Sequence, residues 1–268
     1  MLDLLTALGL EASLGPCVLA AFELEIRDFP GVLDFGSLPL HHRHLALVRC
    51  HGIREVVLRY PAPIADWAVL PSLRVQECAG LQEIQLHTFE GMGKLEVRSC
   101  PGLRQITAFA IELRVPEFHI SDCPRLQGLP EHLRAGRLEW AGPMSISTFP
   151  RAIRIEHPDH ALVLEDLRLP SEQVMDYLVS NKAIRLSRLS SIRDLRVAWL
   201  YAGEDLVLED LPDLEHLTLE DGTCEGDLII RNCGQLRSIK GAATIKGKVR
   251  SEGVPLLEVN VFQEAVLE

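Results

Sequence analysis

No uninterrupted apolar run of ~18 residues occurs in the 268-residue chain, which removes a membrane-spanning helix. The apolar start lacks a positive leading segment: Asp3 stands where one belongs and Glu11 interrupts the run, so a secretory leader is not expected. Runs of Lys and Arg are also missing. With 27 basic against 38 acidic residues the formal charge is -11, and a surface for nucleic-acid phosphates is excluded. Cys-x-x-Cys does not occur among the seven cysteines, so zinc-ribbon and thioredoxin-type chemistry lack their basic element. Neither a Gly-x-Ser-x-Gly elbow nor a His-Glu-x-x-His helix is found. Aromatic residues make up only 5%, so the core must be aliphatic, which suits thin repeated layers better than one thick centre.

What is abundant is Leu, and it is periodic. Leu73-Arg-Val75-Gln-Glu-Cys78-Ala-Gly-Leu81-Gln-Glu-Ile84 is followed by Leu95-Glu-Val97-Arg-Ser-Cys100-Pro-Gly-Leu103-Arg-Gln-Ile106 and by Phe118-His-Ile120-Ser-Asp-Cys123-Pro-Arg-Leu126-Gln-Gly-Leu129. Apolar residues fall at offsets 0, +2, +8 and +11, with cysteine at +5. The frame extends to starts at Leu24, Leu45, Leu73, Leu95, Phe118, Leu138, Leu162, Ile184, Leu206, Leu228 and Val249, in steps of 21, 28, 22, 23, 20, 24, 22, 22, 22 and 21 residues. Such self-similarity predicts about eleven units of roughly 22 residues stacked as a solenoid. Offsets 0 and +2 lie on one face of a short strand, so inward residues form ladders from unit to unit. Five of the seven cysteines occupy the +5 column, where a small buried thiol packs as a hydrophobe. A second apolar cluster (Leu81, Ile84 and Leu86 in one unit) reads as a second strand or as the extended side of the coil. The first segment is expected to form the principal sheet.

The motif Leu-x-Val/Ile-x-x-Cys-Pro-x-Leu-x-x-Ile/Leu resembles cysteine-containing leucine-rich repeats, including those of plant intracellular immune receptors, over residues 24 to 260. A bacterial repeat effector is similar in size and layout. The resemblance implies a right-handed α/β to mostly-β solenoid, with a parallel sheet on one face and a protein-binding role for that face. Two departures leave the subclass open. The apolar residue three before the strand start is replaced by His42, Asp159, Gly203 and Glu225 in four units, and Asn is missing from the +5 column. A right-handed parallel β-helix has a similar period and is the alternative; one strand per turn would indicate the former and three the latter. That alternative brings a polysaccharide-cleaving enzyme as a second functional reading.

Residues 1–23 are expected to form a helical cap, and 24–268 the solenoid with a short C-terminal cap from Val254. Pro61 to Trp67 is an insertion on the rim. Pro170 to Leu178, with Ser171 as N-cap and an acidic first turn, reads as a helix. His41, His42 and His44 lack a partnering carboxylate or cysteine at metal-ligand spacing and read as a solvated loop. Neither a cofactor, a metal nor a catalytic constellation is expected.

The candidate binding residues are the outward positions beside offsets 0 and +2. There Arg74, Glu96, Arg98, His119 and Glu139 place both signs of charge on one face, as a protein-recognition surface does. Val163, Val207 and Ile229 occupy the same column further on and predict an exposed apolar patch. Trp140 is expected in the core, while Trp67, Trp199 and Tyr201 are placed in connections as candidate anchors. The function that follows is non-enzymatic binding of a protein partner by a cytoplasmic chain.

Overall fold

Alternating aliphatic and polar residues, as in Ser72–Gln76 and Lys94–Arg98, form strands that bury every second side chain. The computed structural model describes residues 23–30, 44–59, 72–87, 92–110, 112–141, 144–254 and 258–263. Within them the chain winds into a parallel β-solenoid of about nine turns. Strands form parallel sheets of twelve, five, three and two members, and no helix occurs among the described residues.

Turns described throughout have three extended faces. In one turn they are Lys94–Arg98, Gln105–Ala108 and the start of Leu113–Ser121. The first face ends on a residue with left-handed backbone: Asp28, Arg49, Glu77, Ser99, Asp122, Asp166, Arg188, Asp210 and Asn232 have φ between 50° and 57°. The amide of such a residue still bonds to the next turn, as from Arg49 N to Gln76 O and from Glu77 N to Arg98 O, both 2.9 Å. At five of these corners a cysteine then points inward and opens a β-turn, closed for example by Leu81 N to Cys78 O at 3.2 Å and by Leu103 N to Cys100 O at 3.1 Å. Offsets +5 and +8 are thus the first and fourth residues of one turn, with Pro101 at the first central position, which favours it.

The second corner lies inside long strands. Leu113–Ser121 buries Leu113 and Val115, then Phe118 and Ile120, so the inward phase slips by one residue at Pro116–Glu117. Glu172–Ser180 makes the same slip, burying Gln173 and Met175, then Leu178 and Ser180. That slip explains why the helix expected over 170–178 is not formed. Two strand segments joined with a one-residue slip place apolar residues at spacings of three, which imitates a helical stripe. Pairing with Asp194–Ala202 over nearly the whole length decides for strand.

The α/β leucine-rich-repeat class and the count of eleven units are not supported. The predicted phase is correct within two blocks: Leu24, Leu45, Leu73, Leu95, Phe118 and Leu138 are in register, and so are Leu162, Ile184, Leu206, Leu228 and Val249. Between them the sheets change roles. Up to Ala141 the twelve-stranded sheet carries the first segments, as expected. Beyond it, that sheet takes the second and third segments, and the first segments Leu162–Glu165, Ile184–Ser187, Leu206–Glu209, Leu228–Arg231 and Val249–Glu252 form the five-stranded sheet.

A single core runs from Ile26 to Ile245, with Cys50, Cys78, Cys100, Cys123 and Cys233 wholly buried in it. Trp140 packs against this core, its ring centroid 5.6 Å from that of Phe149. The expected N-terminal helix and the Pro61–Trp67 insertion lie outside the described residues. At the other end the sheet continues through Glu258–Gln263, where a cap was expected to begin.

The corner geometry distinguishes two glycines. A Cβ on Gly102 would lie 2.5 Å from the Ala79 carbonyl oxygen, whereas one on Gly234 would meet nothing within 4 Å. Gly102→Ala should therefore lower the unfolding free energy by about 1–3 kcal/mol, because backbone cannot yield as a side chain can. Gly234→Ala should be neutral or stabilise by up to about 1 kcal/mol. Urea midpoints of the two variants check this.

Candidate functional site

Parallel pairing without offset turns a sequence column into a spatial row. Arg74 pairs with Glu96, Glu96 with His119, and His119 with Glu139, so four of the five candidate residues stand side by side on consecutive strands. The flanking row runs Ser72, Lys94, Glu117 and Arg137, and on the other side Arg98 lies between Gln76 and Ser121. All five predicted residues therefore share one face.

Glu96 is the centre of this face. It is only 7% exposed, and its carboxylate lies 2.7 Å from Arg98 Nε, 3.2 Å from Lys94 Nζ and 3.9 Å from Arg74 Nε. Lys94 also reaches Glu117 at 3.2 Å. Burial works against the Lys94 ammonium, but Glu117 and Glu96 outweigh it and hold its pKa above the ordinary value. His119 Nδ1 lies 2.7 Å from Glu139 Oε2, and Arg137 pairs with the same carboxylate group. The hydrogen bond from His119 holds the Glu139 pKa below its ordinary 4.5; burial opposes this and the Arg137 charge reinforces it. Arg74, Lys94, Arg98 and Arg137 thus face Glu96, Glu117 and Glu139, a two-sign surface held by its own ion pairs.

Other expectations fare differently. Val207 is only 6% exposed, and Val163 and Ile229 are half-buried, so the expected exposed apolar patch is absent from this column. Packing between outward neighbours on a continuous sheet covers them; Val207 stands between Arg185 and Ile229. Trp199 and Tyr201 lie in the strand Asp194–Ala202 and not in a connection, with Trp199 49% exposed. Their registry partners are Tyr177 and Val179, of which Tyr177 fell inside the helix expected over Pro170 to Leu178. The 22-residue spacing of Tyr177 from Trp199 was the signal that could have found them.

Among the described residues no group of three or more His, Cys, Asp or Glu side chains could hold a metal ion, and no helix is long and apolar enough to cross a membrane. Burial pushes the Cys233 thiol up, and that of Cys224 up to about 11, so both stay protonated and unreactive at neutral pH. Compared with known proteins, the chain matches no family profile, no curated sequence and no solved structure.

Removing Glu96 leaves three cations facing one another. Glu96→Ala should cost about 1–3 kcal/mol of stability in urea unfolding at low salt, and less at high salt. For Glu139 the folded pKa lies below the unfolded one. Its contribution is complete above pH 4.5 and lost as pH falls through the lower folded value. The urea midpoints of the parent chain and Glu139→Gln should therefore differ at pH 7 and converge on acidification below 4.5.

Proposed function

We propose that this chain is a non-enzymatic binding module that engages a protein partner through the outward face of the strands between Ser72 and Ala141. The observation that carries this reading is the in-register row Arg74, Glu96, His119 and Glu139, with Arg98 beside it. Each charge is already held by a neighbour, so little side-chain freedom is lost on docking. Both signs of charge on one sheet face favour a partner of complementary pattern and repel others, which is how charge produces specificity at interfaces. The architecture that goes with it is a parallel β-helix, supported by three extended faces per turn; its right-handed coiling follows from the usual hand of parallel crossovers. The six described cysteines are all free thiols, which supports a reducing, cytoplasmic setting.

The reading is tested by capture from native lysate with the parent chain and with Arg74→Ala/Arg98→Ala/His119→Ala as bait, each shown to be folded by circular dichroism. Proteins retained by the parent should be lost or reduced at least about ten-fold with the triple variant, since several interface contacts of ~1 kcal/mol or more are removed together. An unchanged set of captured proteins would sink the assignment of this face.

A further inference from the structure

The third face of the solenoid carries chemistry that the charged first face does not use. Arg114, Arg134 and Arg154 stand in register on consecutive strands of the twelve-stranded sheet. The same row continues as Val179 and Tyr201, and the adjacent row runs His132, Ala152, Tyr177 and Trp199. These residues alternate with the core residues Leu133, Ile153, Leu178 and Leu200, so apart from the covered Ala152 their side chains reach the outer surface.

Like charges side by side on neighbouring strands repel, and two carboxylates answer three guanidinium groups. Glu112 lies 3.3 Å from Arg114 and 3.8 Å from Arg134. Glu156 pairs with Arg134 and lies 4.0 Å from Arg154. Glu112 is shared further, because it accepts the Tyr177 hydroxyl at 2.9 Å. Arg154 sits over the Tyr177 ring, 5.5 Å from its centroid, and its Nε is buried with no hydrogen-bond partner. The row therefore keeps an excess of positive charge, and it opens onto aromatic rings.

A complementary ligand is linear, bears carboxylates that match planar guanidinium forks, and offers apolar ring faces to Trp and Tyr. Successive strands about 4.7–4.9 Å apart set its repeat, a step comparable to one sugar ring. Charge does not separate this ligand from a nucleic acid, since each brings one negative charge per unit; spacing does, because successive phosphates of an extended strand lie farther apart than neighbouring strands of a sheet. We propose that this face is a docking site for an acidic polysaccharide, whose carboxylates meet Arg114, Arg134 and Arg154 and whose sugar rings lie over Tyr177, Trp199 and Tyr201. None of Arg114, Arg134, Arg154, Tyr177, Trp199 and Tyr201 is among the residues that carry the protein-binding reading (Arg74, Glu96, Arg98, His119 and Glu139), so either reading can fail alone.

The test is affinity electrophoresis of the full chain through gels containing polygalacturonate, with neutral dextran and single-stranded oligo-dT as comparison probes. Polygalacturonate should retard the parent chain, less so as salt rises. Trp199→Ala and Arg154→Ala should each weaken retardation about ten-fold, a loss typical of one stacked ring or one desolvated cation–π contact. Arg154→Lys should also weaken it, because an ammonium lacks the planar fork. Lys240→Ala, which removes an exposed cation elsewhere on the sheet, should leave it unchanged. Thermal melts establish that each variant is folded; if Arg154→Ala is not, Trp199→Ala, whose ring is half exposed, decides the matter. Absence of retardation overturns the proposal, as does equal retardation by dextran, stronger binding of oligo-dT, or retardation indifferent to Trp199→Ala.

Discussion

The left-handed residue that ends the first strand of each turn, with its amide bonded to the next turn, is the constraint on which the rest of the structure depends. Non-glycine residues occupy this conformation at a cost of about 1–2 kcal/mol each, yet nine of them repeat it at one corner. The cost is offset locally. Besides the backbone bond, Arg49 grips Asp28 at 2.6 and 2.8 Å, Arg188 grips Asp166 at 2.7 and 3.0 Å, and Asn232 reaches Asp210 at 2.9 Å. Each pair joins equivalent corners of successive turns. Because the corners superpose, a cysteine or leucine follows in the same inward place at eight of the nine corners and Phe29 at the other, all packed in or against one core.

Surface chemistry inherits that registry. A strand displaced by one residue would exchange its inward and outward sets, so the same uniform bend that builds the core also orders the charges outside it. On the first face this yields cations beside the Glu96 carboxylate, where attraction between neighbours assists the pairing. On the third face it yields three arginines in line, where repulsion works against the pairing and Glu112 and Glu156 relieve it. One geometric rule thus produces a self-compensated surface and an incompletely compensated one. The difference between them is the physical basis for assigning them different partners.

The transfer of the principal sheet from first segments to second and third segments after Ala141 has a related origin. Pro116–Glu117 and Asp176–Tyr177 are both corners that strands pass through without ending. Whether a corner joins the third face to the following first face, or the second face to the third, decides which faces form one continuous sheet. Local alternation of polar and apolar residues is the same on both sides of the change, so strand periodicity alone is blind to it.

Much of this was legible in the chain itself. The 22-residue period, the inward residues at offsets 0 and +2, the buried cysteine column and the shared face of Arg74, Glu96, Arg98, His119 and Glu139 all follow from spacing, because parallel in-register stacking converts period directly into contact. Three things did not follow. The strand at Glu172–Ser180 imitates a helix until its neighbours are present, since only hydrogen bonds to adjacent turns distinguish two short strands and a corner from one helical stripe. The burial of Val207 depends on what Arg185 and Ile229 cover. The meeting of Arg154 with Tyr177 joins residues from different phases of the repeat, on strands that pair only over four residues. Sequence by itself determined the repeat and the inward direction of the first-segment side chains; tertiary structure decided how the faces join and which surfaces come together, because those depend on corners and neighbours that no single repeat contains.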